Sequence, residues 1–175
     1  MAVKFQTEVS HRIEQHLDGY AAATRYLTQI NGEQIDLGLL NPENSDGLAQ
    51  FLFKQVKTYN VGYILYGSKT GKFIASGYYR ESKIPDHGNP DISLVLPDRY
   101  GNPDLYNYTT DTQGKPIKLF EITKNYQYQK EGWYTKSVET GKPGWSEIYQ
   151  WETNNYPLAI AHFMTSLAIS SVVLV

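Results

Sequence analysis

Four histidines (His11, His16, His87 and His162) and the 18 Asp and Glu side chains are the groups of this chain that could move protons or hold a metal. His11 and His16 are five residues apart, which puts them on different faces of a helix and not at the i, i+4 spacing of a helical metal pair. Asp86, His87, Asp91, Asp98 and Asp104 gather in or beside one stretch. A hard cation takes several oxygens, but their spacing fits no calcium loop, and they read as solvated turn residues. Glu147 and Glu152 are a carboxylate pair of the kind glycoside hydrolysis employs; solvent-exposed strand carboxylates are far commoner. No Gly-x-Ser-x-Gly elbow, phosphate loop or dinucleotide fingerprint occurs. The chain has no Cys, which removes disulfides, thiolate metal sites and a thiol nucleophile. These residues predict a protein that is not an enzyme and has no cofactor or metal.

Recognition chemistry is better represented. From Glu131 the chain reads Glu-Gly-Trp-Tyr-Thr-Lys-Ser-Val-Glu-Thr-Gly-Lys-Pro-Gly-Trp-Ser-Glu-Ile-Tyr-Gln-Trp to Trp151, and all 3 Trp fall in this run. Aromatic side chains bury large areas and usually only fill a core; with a hydroxyl or indole N–H they also line ligand pockets. The run reads as a short helix ending at Gly141, the usual residue just past a helix end, with Pro143 preventing its resumption. Trp145, Tyr149 and Trp151 then alternate with Ser146 and Gln150, the period of a strand with one covered face.

The elements that must hold this run in place follow from periodicity. Phe5, Val9, Ile13, Leu17 and Tyr20, continued by Tyr26, Leu27 and Ile30, form one stripe of an amphipathic helix. It is expected over about 7–40, with a break at Asn31-Gly32. A helix of that length cannot lie wholly on a small domain, so residues 1–44 are read as a helical stalk and 45–175 as the folded module. Ser45-Asp46-Gly47 supplies a helix start, and Leu48, Phe51, Leu52, Val56 and Tyr59 mark a second helix. Val61–Gly67 and Lys72–Tyr79 form a hairpin around Ser68-Lys69-Thr70-Gly71. Arg80 to Pro103 reads as a long loop with at most one short strand at Ile92–Leu96. Leu105–Thr110 and Lys115–Glu121 form a second strand pair, and Tyr156–Ile160 is expected antiparallel to 145–151. No Lys, Arg, Asp or Glu occurs from Pro157 to Val175. That length is close to the roughly 20 residues of a membrane span, but dilution by His162 and several Ser and the lack of a basic anchor favour two strands turning near Met164-Thr165-Ser166.

Composition narrows the class. With 175 residues, 41% hydrophobic and 19% charged, the chain can bury a core and is not disordered. A net charge of −2 gives no electrostatic case for nucleic acid or an anionic membrane surface. No secretory signal is present at the N-terminus. Antiparallel strands with helices segregated to one side make an α+β domain.

Taken in order, Tyr63-Ile64-Leu65-Tyr66-Gly67, Gly71-Lys72-Phe73-Ile74, Tyr108-Thr109-Thr110-Asp111-Thr112-Gln113-Gly114, Gly132-Trp133-Tyr134, Gly141-Lys142-Pro143-x-Trp145-Ser146 and Ile148-Tyr149-x-Trp151 resemble the Cache family. These are the PAS-like extracytoplasmic sensor domains of bacterial chemoreceptors and sensor kinases, and the likeness is to the membrane-distal module of a double Cache domain. The resemblance implies a PAS-like central antiparallel sheet, a long N-terminal helix and a second helix on one side. It also implies a ligand-binding role in a signal-transduction protein of chemoreceptor, histidine kinase or cyclase type. A small extracellular molecule would sit between the sheet and the segment carrying Trp133 and Tyr134, with Tyr149 and Tyr108 as walls and Tyr63 and Tyr66 as further candidates. A homodimer through the N-terminal helix is implied. So is an extracytoplasmic location, with membrane attachment through segments outside this chain or, less favoured, the apolar tail. Amino-acid-binding members resemble Arg-x-Trp-Tyr followed by a strand Tyr and a late Asp. Here Trp133, Tyr134 and Tyr149 match, but Glu131 stands at the Arg position and the late Asp is absent. The resemblance runs from about Thr7 to Ile160, so the chain resembles a truncated or diverged module. Two other readings stand beside it: a non-sensing interaction module with an aromatic core, and a carbohydrate-binding module.

Overall fold

The N-terminal stripe folds as α1 (Ala2–Asp36), 35 residues and about 50 Å long at 1.5 Å per residue. The computed structural model describes residues 2–59, 61–78, 89–149, 159–163 and 169–174. The break expected at Asn31-Gly32 does not occur. Asn31 is 0% exposed and exchanges two hydrogen bonds with Gln55 of the next helix: its Nδ2 donates to Gln55 Oε1 at 2.7 Å, and Gln55 Nε2 donates back to Asn31 Oδ1 at 2.8 Å. That reciprocal pair outweighs the tendency of Asn to leave a helix by bonding local backbone. α1 ends instead before Gly38, which takes φ of +71° and donates its N–H to Ile35 O.

α2 (Ser45–Tyr59) forms as expected, but its cap is Asn44, whose Oδ1 accepts from Gly47 N–H at 3.0 Å, and not Ser45 or Asp46. Leu48, Ala49, Leu52, Phe53 and Val56 form its buried stripe. The hairpin β1 (Tyr63–Gly67) and β2 (Phe73–Gly77) turns at Ser68–Gly71, where Gly71 takes φ of +95°. The apolar patch after it is β3 (Asp91–Val95), followed by the short α3 (Pro97–Tyr100). β4 (Leu105–Thr110) and β5 (Pro116–Thr123) follow, then a 3₁₀ turn at Tyr128–Lys130 and α4 (Gly132–Thr140). Asp86 and His87 lie outside the described residues.

Of the aromatic strand expected over 145–151, the described residues form β6 (Gly144–Trp145) and a single bridge pairing at Tyr149. The alternation is also inverted, since Ser146 is buried while Trp145 is 36% exposed. Ser146 is drawn inward by backbone groups: its N–H donates to Ala161 O at 2.8 Å and its Oγ accepts from Ala161 N–H at 3.0 Å. Gln150 and Trp151 lie outside the described residues. The apolar end of the chain forms β7 (Ala159–Phe163) and β8 (Ile169–Leu174). The turn expected at 164–166 lies outside the described residues. Among those residues no helix is long and apolar enough to cross a membrane.

The eight strands form one antiparallel sheet in the order β5-β4-β3-β2-β1-β8-β7-β6. α1 packs on β7 and β8, and α2 on β1 to β3. Leu27 and Ile35 share one core with Leu48, Ala49, Leu52 and Val56 of α2 and with Ile64, Tyr66, Ile74, Ile92 and Leu94. Tyr63, Leu65, Phe73 and Ala75 point to the other face, where they meet α4 and the 3₁₀ turn. This is the expected α+β architecture.

Replacing Asn31 by Ala strands the buried Gln55 amide, and such a loss costs about 1–3 kcal/mol. Urea unfolding should show that decrease, with the double replacement of Asn31 and Gln55 by Leu recovering part of it. A loss smaller than about 0.5 kcal/mol in Asn31→Ala would show that the pair does not hold α1 to α2.

Candidate functional site beneath the fourth helix

The segment from Tyr126 to Tyr134 delivers four rings to the sheet face opposite α1 and α2. Its approach is clamped at Asp104, whose carboxylate accepts from Lys124 Nζ at 2.7 Å and from Asn125 N–H at 3.0 Å. These bonds, Lys124's first, hold the Asp104 carboxyl below the usual range. Asn125 takes φ of +51°, a conformation Asn tolerates better than most residues, and the chain turns inward there.

Tyr128 then reaches under the β1–β2 turn, its hydroxyl donating to Ser68 O with Lys72 O 3.1 Å away. Burial pushes its phenol pKa well up. Trp133, 1% exposed, stacks on Tyr128 with ring centroids 6.2 Å apart and planes at 14°. Tyr134 meets both edge-on, at 5.5 Å from each. Phe73 closes the cluster against Tyr126 and Tyr128. The rings lie on bare backbone at Gly67, where a Cβ would stand 2.6 Å from Tyr128 Cε2 and 2.9 Å from Trp133 Cη2.

Glu131 begins α4. Its carbonyl accepts the N–H groups of Tyr134 at 3.1 Å and Thr135 at 3.0 Å. Its carboxylate is buried at 3% exposure, accepts from the Tyr126 hydroxyl at 3.3 Å and sits at a helix N-terminus, where negative charge is favoured. Tyr149 lies against Gly132, where a Cβ would come within 2.9 Å of its ring. Its hydroxyl is buried with no hydrogen-bond partner among the described residues. Burial, then the nearby Glu131 carboxylate, raises the pKa of this phenol.

The structure therefore brings together Trp133, Tyr134, Tyr149, Tyr63 and Glu131. Tyr66 and Tyr108 are on the other side of the sheet, in the core beneath the helices, so one pocket cannot be lined by all seven. For Tyr63 and Tyr66 the reason is strand period: three residues apart means opposite faces. Tyr108 bonds hydroxyl to hydroxyl with Tyr100 at 3.3 Å, and burial, ahead of Tyr100, pushes its pKa up to about 12. Tyr126 and Tyr128 are the residues that sequence reasoning missed. They carry no strand or helix period, and their one signal is a Tyr-x-Tyr pair just ahead of Glu131-Gly132-Trp133-Tyr134. Among the described residues no group of three or more His, Asp or Glu side chains could hold a metal ion.

No protein-family model matches the sequence, and no curated protein matches it. The fold is similar to the crystal structure of the ligand-binding domain of the Campylobacter jejuni chemoreceptor Tlp3, solved in complex with 4-methylisoleucine. The TM-score is 0.56 at 12% identity, and the likeness covers 98% of this chain and 57% of that one. The chain thus shares the fold of that domain and spans little more than half its length. The likeness was expected to stop near Ile160; at the level of fold it takes in nearly the whole chain.

Gly67→Ala should lower stability by about 1–3 kcal/mol, the cost of forcing two packed rings to shift, whereas Trp133→Ala should cost about 3–5 kcal/mol by leaving a cavity; both are read by chemical denaturation. A neutral effect of Gly67→Ala would mean the rings do not rest on β1. His162 on β7 packs edge-on against Trp145 at 5.1 Å, and burial, ahead of Arg25, brings its pKa from 6.5 to about 4. The folded state therefore favours neutral imidazole. Its stabilisation is complete above about pH 6.5 and is lost progressively as pH falls towards 4. The unfolding midpoint should drop between pH 7 and pH 5 in the wild type and drop less in His162→Gln. Equal slopes would refute it.

Proposed function

We propose that this chain is a ligand-binding sensor module of a bacterial signal-transduction protein, of chemoreceptor, histidine kinase or cyclase type. It binds a small extracellular molecule on the sheet face beneath α4. One observation carries the reading: in a fold similar to a solved ligand-binding domain, the face opposite the two long helices holds a concentrated set of aromatic rings around a buried carboxylate. Apolar walls with a few fixed polar groups are the usual make-up of a small-molecule site. Trp133, Tyr134, Tyr149 and Tyr63 supply the walls and Glu131 the charge. Tyr149 is half-buried and is the ring at which a ligand enters.

In the parent protein the module faces the periplasm, residues 1–44 act as the stalk and residues 45–175 as the sensor. Val9, Ile13 and Leu17 repeat every four residues on α1 and are 39%, 55% and 60% exposed, a stripe that suits a second copy of the same helix. A ligand shifts the module only through a difference in affinity between two states. Here it separates Tyr149 from α4 and alters how the 3₁₀ turn grips the β1–β2 hairpin.

The complete burial of Trp133 favours a second reading, in which the cluster is only a core. A thermal-shift screen of small metabolites followed by calorimetry separates the two. A true ligand at 100 times its Kd adds about 2.7 kcal/mol of stability, which is several degrees in a domain of this size. Silence across the screen in both methods would sink the sensor reading and leave the core reading standing.

A further inference from the structure

We infer that Lys72 is a positioning residue that joins the aromatic cluster to the α1–α2 connector (37–44): its backbone is held beside Tyr128 on one face of the sheet, and its ammonium holds Glu43 on the other. The inference rests on the ligand-binding reading above and names how that site is read out at the end of α1.

Lys72 stands just before β2, where alternation sends Phe73 to the cluster and Ile74 to the helix side. The turn and the cluster fix its backbone. Its N–H donates to Ser68 Oγ at 3.0 Å, and its carbonyl accepts from Ser68 N–H at 2.8 Å. That carbonyl also lies 3.1 Å from the Tyr128 hydroxyl, which is shared between the Ser68 and Lys72 carbonyls. The side chain leaves toward the helices, where Nζ donates to Glu43 Oε2 at 2.7 Å and lies 3.5 Å from Pro42 O. One residue therefore touches both layers that the sheet separates.

Packing does not explain an ammonium at this position. Lys72 is 8% exposed, and a buried charge loses hydration that an apolar side chain of similar length would not. What the ammonium adds is a fixed partner on the connector. Burial, then the Glu43 carboxylate, raises the pKa of the Tyr66 phenol on β1, so Glu43 sits over the sheet as well as beside Lys72. The connector is tied to both helices. Leu39 and Leu40 N–H donate to Gln34 O at 2.8 and 3.0 Å, and Asn44, next to Glu43, caps α2. Moving Glu43 thus acts on the end of α1 and the start of α2. The Lys72–Glu43 bond is the element with two states, made and released, and the hold of Tyr128 on the Lys72 carbonyl biases it.

Contact alone is not coupling, and a double-mutant cycle measures the difference. The test uses the full chain without ligand and reads amide hydrogen exchange at Leu39 and Leu40. Tyr128→Phe removes the shared hydroxyl and should speed that exchange by about threefold or more. Ser68→Ala, which removes the acceptor of the Lys72 N–H, should act in the same direction. The response should vanish where Lys72→Met or Glu43→Gln is already present, and persist beside Lys72→Arg. Glu43 is 80% exposed at its side chain, so Glu43→Gln breaks the pair from the solvent side without disturbing a core. The relay is overturned if neither Tyr128→Phe nor Ser68→Ala alters the connector, or if either does so by the same factor beside Lys72→Met. It is also overturned if Leu52 in α2 speeds up equally, since that is global unfolding. The cycle needs no ligand, so its failure removes the relay and leaves the metabolite screen to judge the sensor reading.

Discussion

The backbone pairing of β1 with β8 is the constraint on which the rest of the structure depends. Tyr63 to Tyr66 align antiparallel with Val172 to Ile169, so the last strand of the chain lies in the middle of the sheet. Remove that ladder and the sheet falls into a five-stranded piece, β5 to β1, and a three-stranded remnant. β1 is buried on both faces: Ile64 and Tyr66 enter the core under α1 and α2, while Tyr63 and Leu65 enter the aromatic cluster. Pairing strands so distant in sequence closes a long loop, whose entropy cost rises only slowly with length. Two cores sharing one strand offset that cost together.

The aromatic cluster does two jobs with one set of atoms. Tyr128 ties the 3₁₀ turn to the hairpin through the Ser68 and Lys72 carbonyls, and Trp133 packs beside it on Gly67. Any molecule that moves Tyr149 or Tyr134 therefore acts on groups in contact with the central strand pair. This is a physical route from the proposed site to the sheet that needs no contact with the helices. α1 meets the opposite face through Leu27 and Ile35 and also through polar residues. Thr24, Thr28 and Asn31 are all buried, the threonines bonded to carbonyls one turn back in α1 and Asn31 to Gln55. Among these groups the Asn31–Gln55 pair is the one that bonds α1 to α2.

The elements with strong local signals were legible in the sequence. The β1–β2 hairpin, β4, α2 and the end of α4 at Gly141 all lie where turn residues and periodicity place them. Expectations failed where a distant partner overrode a local preference. Asn31-Gly32 stays helical because Gln55 completes the Asn31 amide. Asn44, and not Ser45 or Asp46, caps α2. The alternation expected after Trp145 is inverted because Ser146 bonds Ala161 on β7 through both its N–H and its hydroxyl. The proposed site was legible in part: Glu131, Trp133, Tyr134 and Tyr149 share one run of sequence, whereas Tyr126 and Tyr128 have no period to betray them.

By itself the sequence determined the α+β class, the order of most elements and the presence of an aromatic run with a carboxylate at its head, because these depend on side-chain period, turn chemistry and composition. Only the tertiary structure decided which rings meet. Tyr63 joins Trp133 while Tyr66 and Tyr108 go to the helix side, since a sheet has two faces and residue parity assigns them. It also decided that the charge-free tail closes the sheet: an apolar run reads alike in a membrane, a helix or a strand until β1 and β7 offer it hydrogen bonds on both edges.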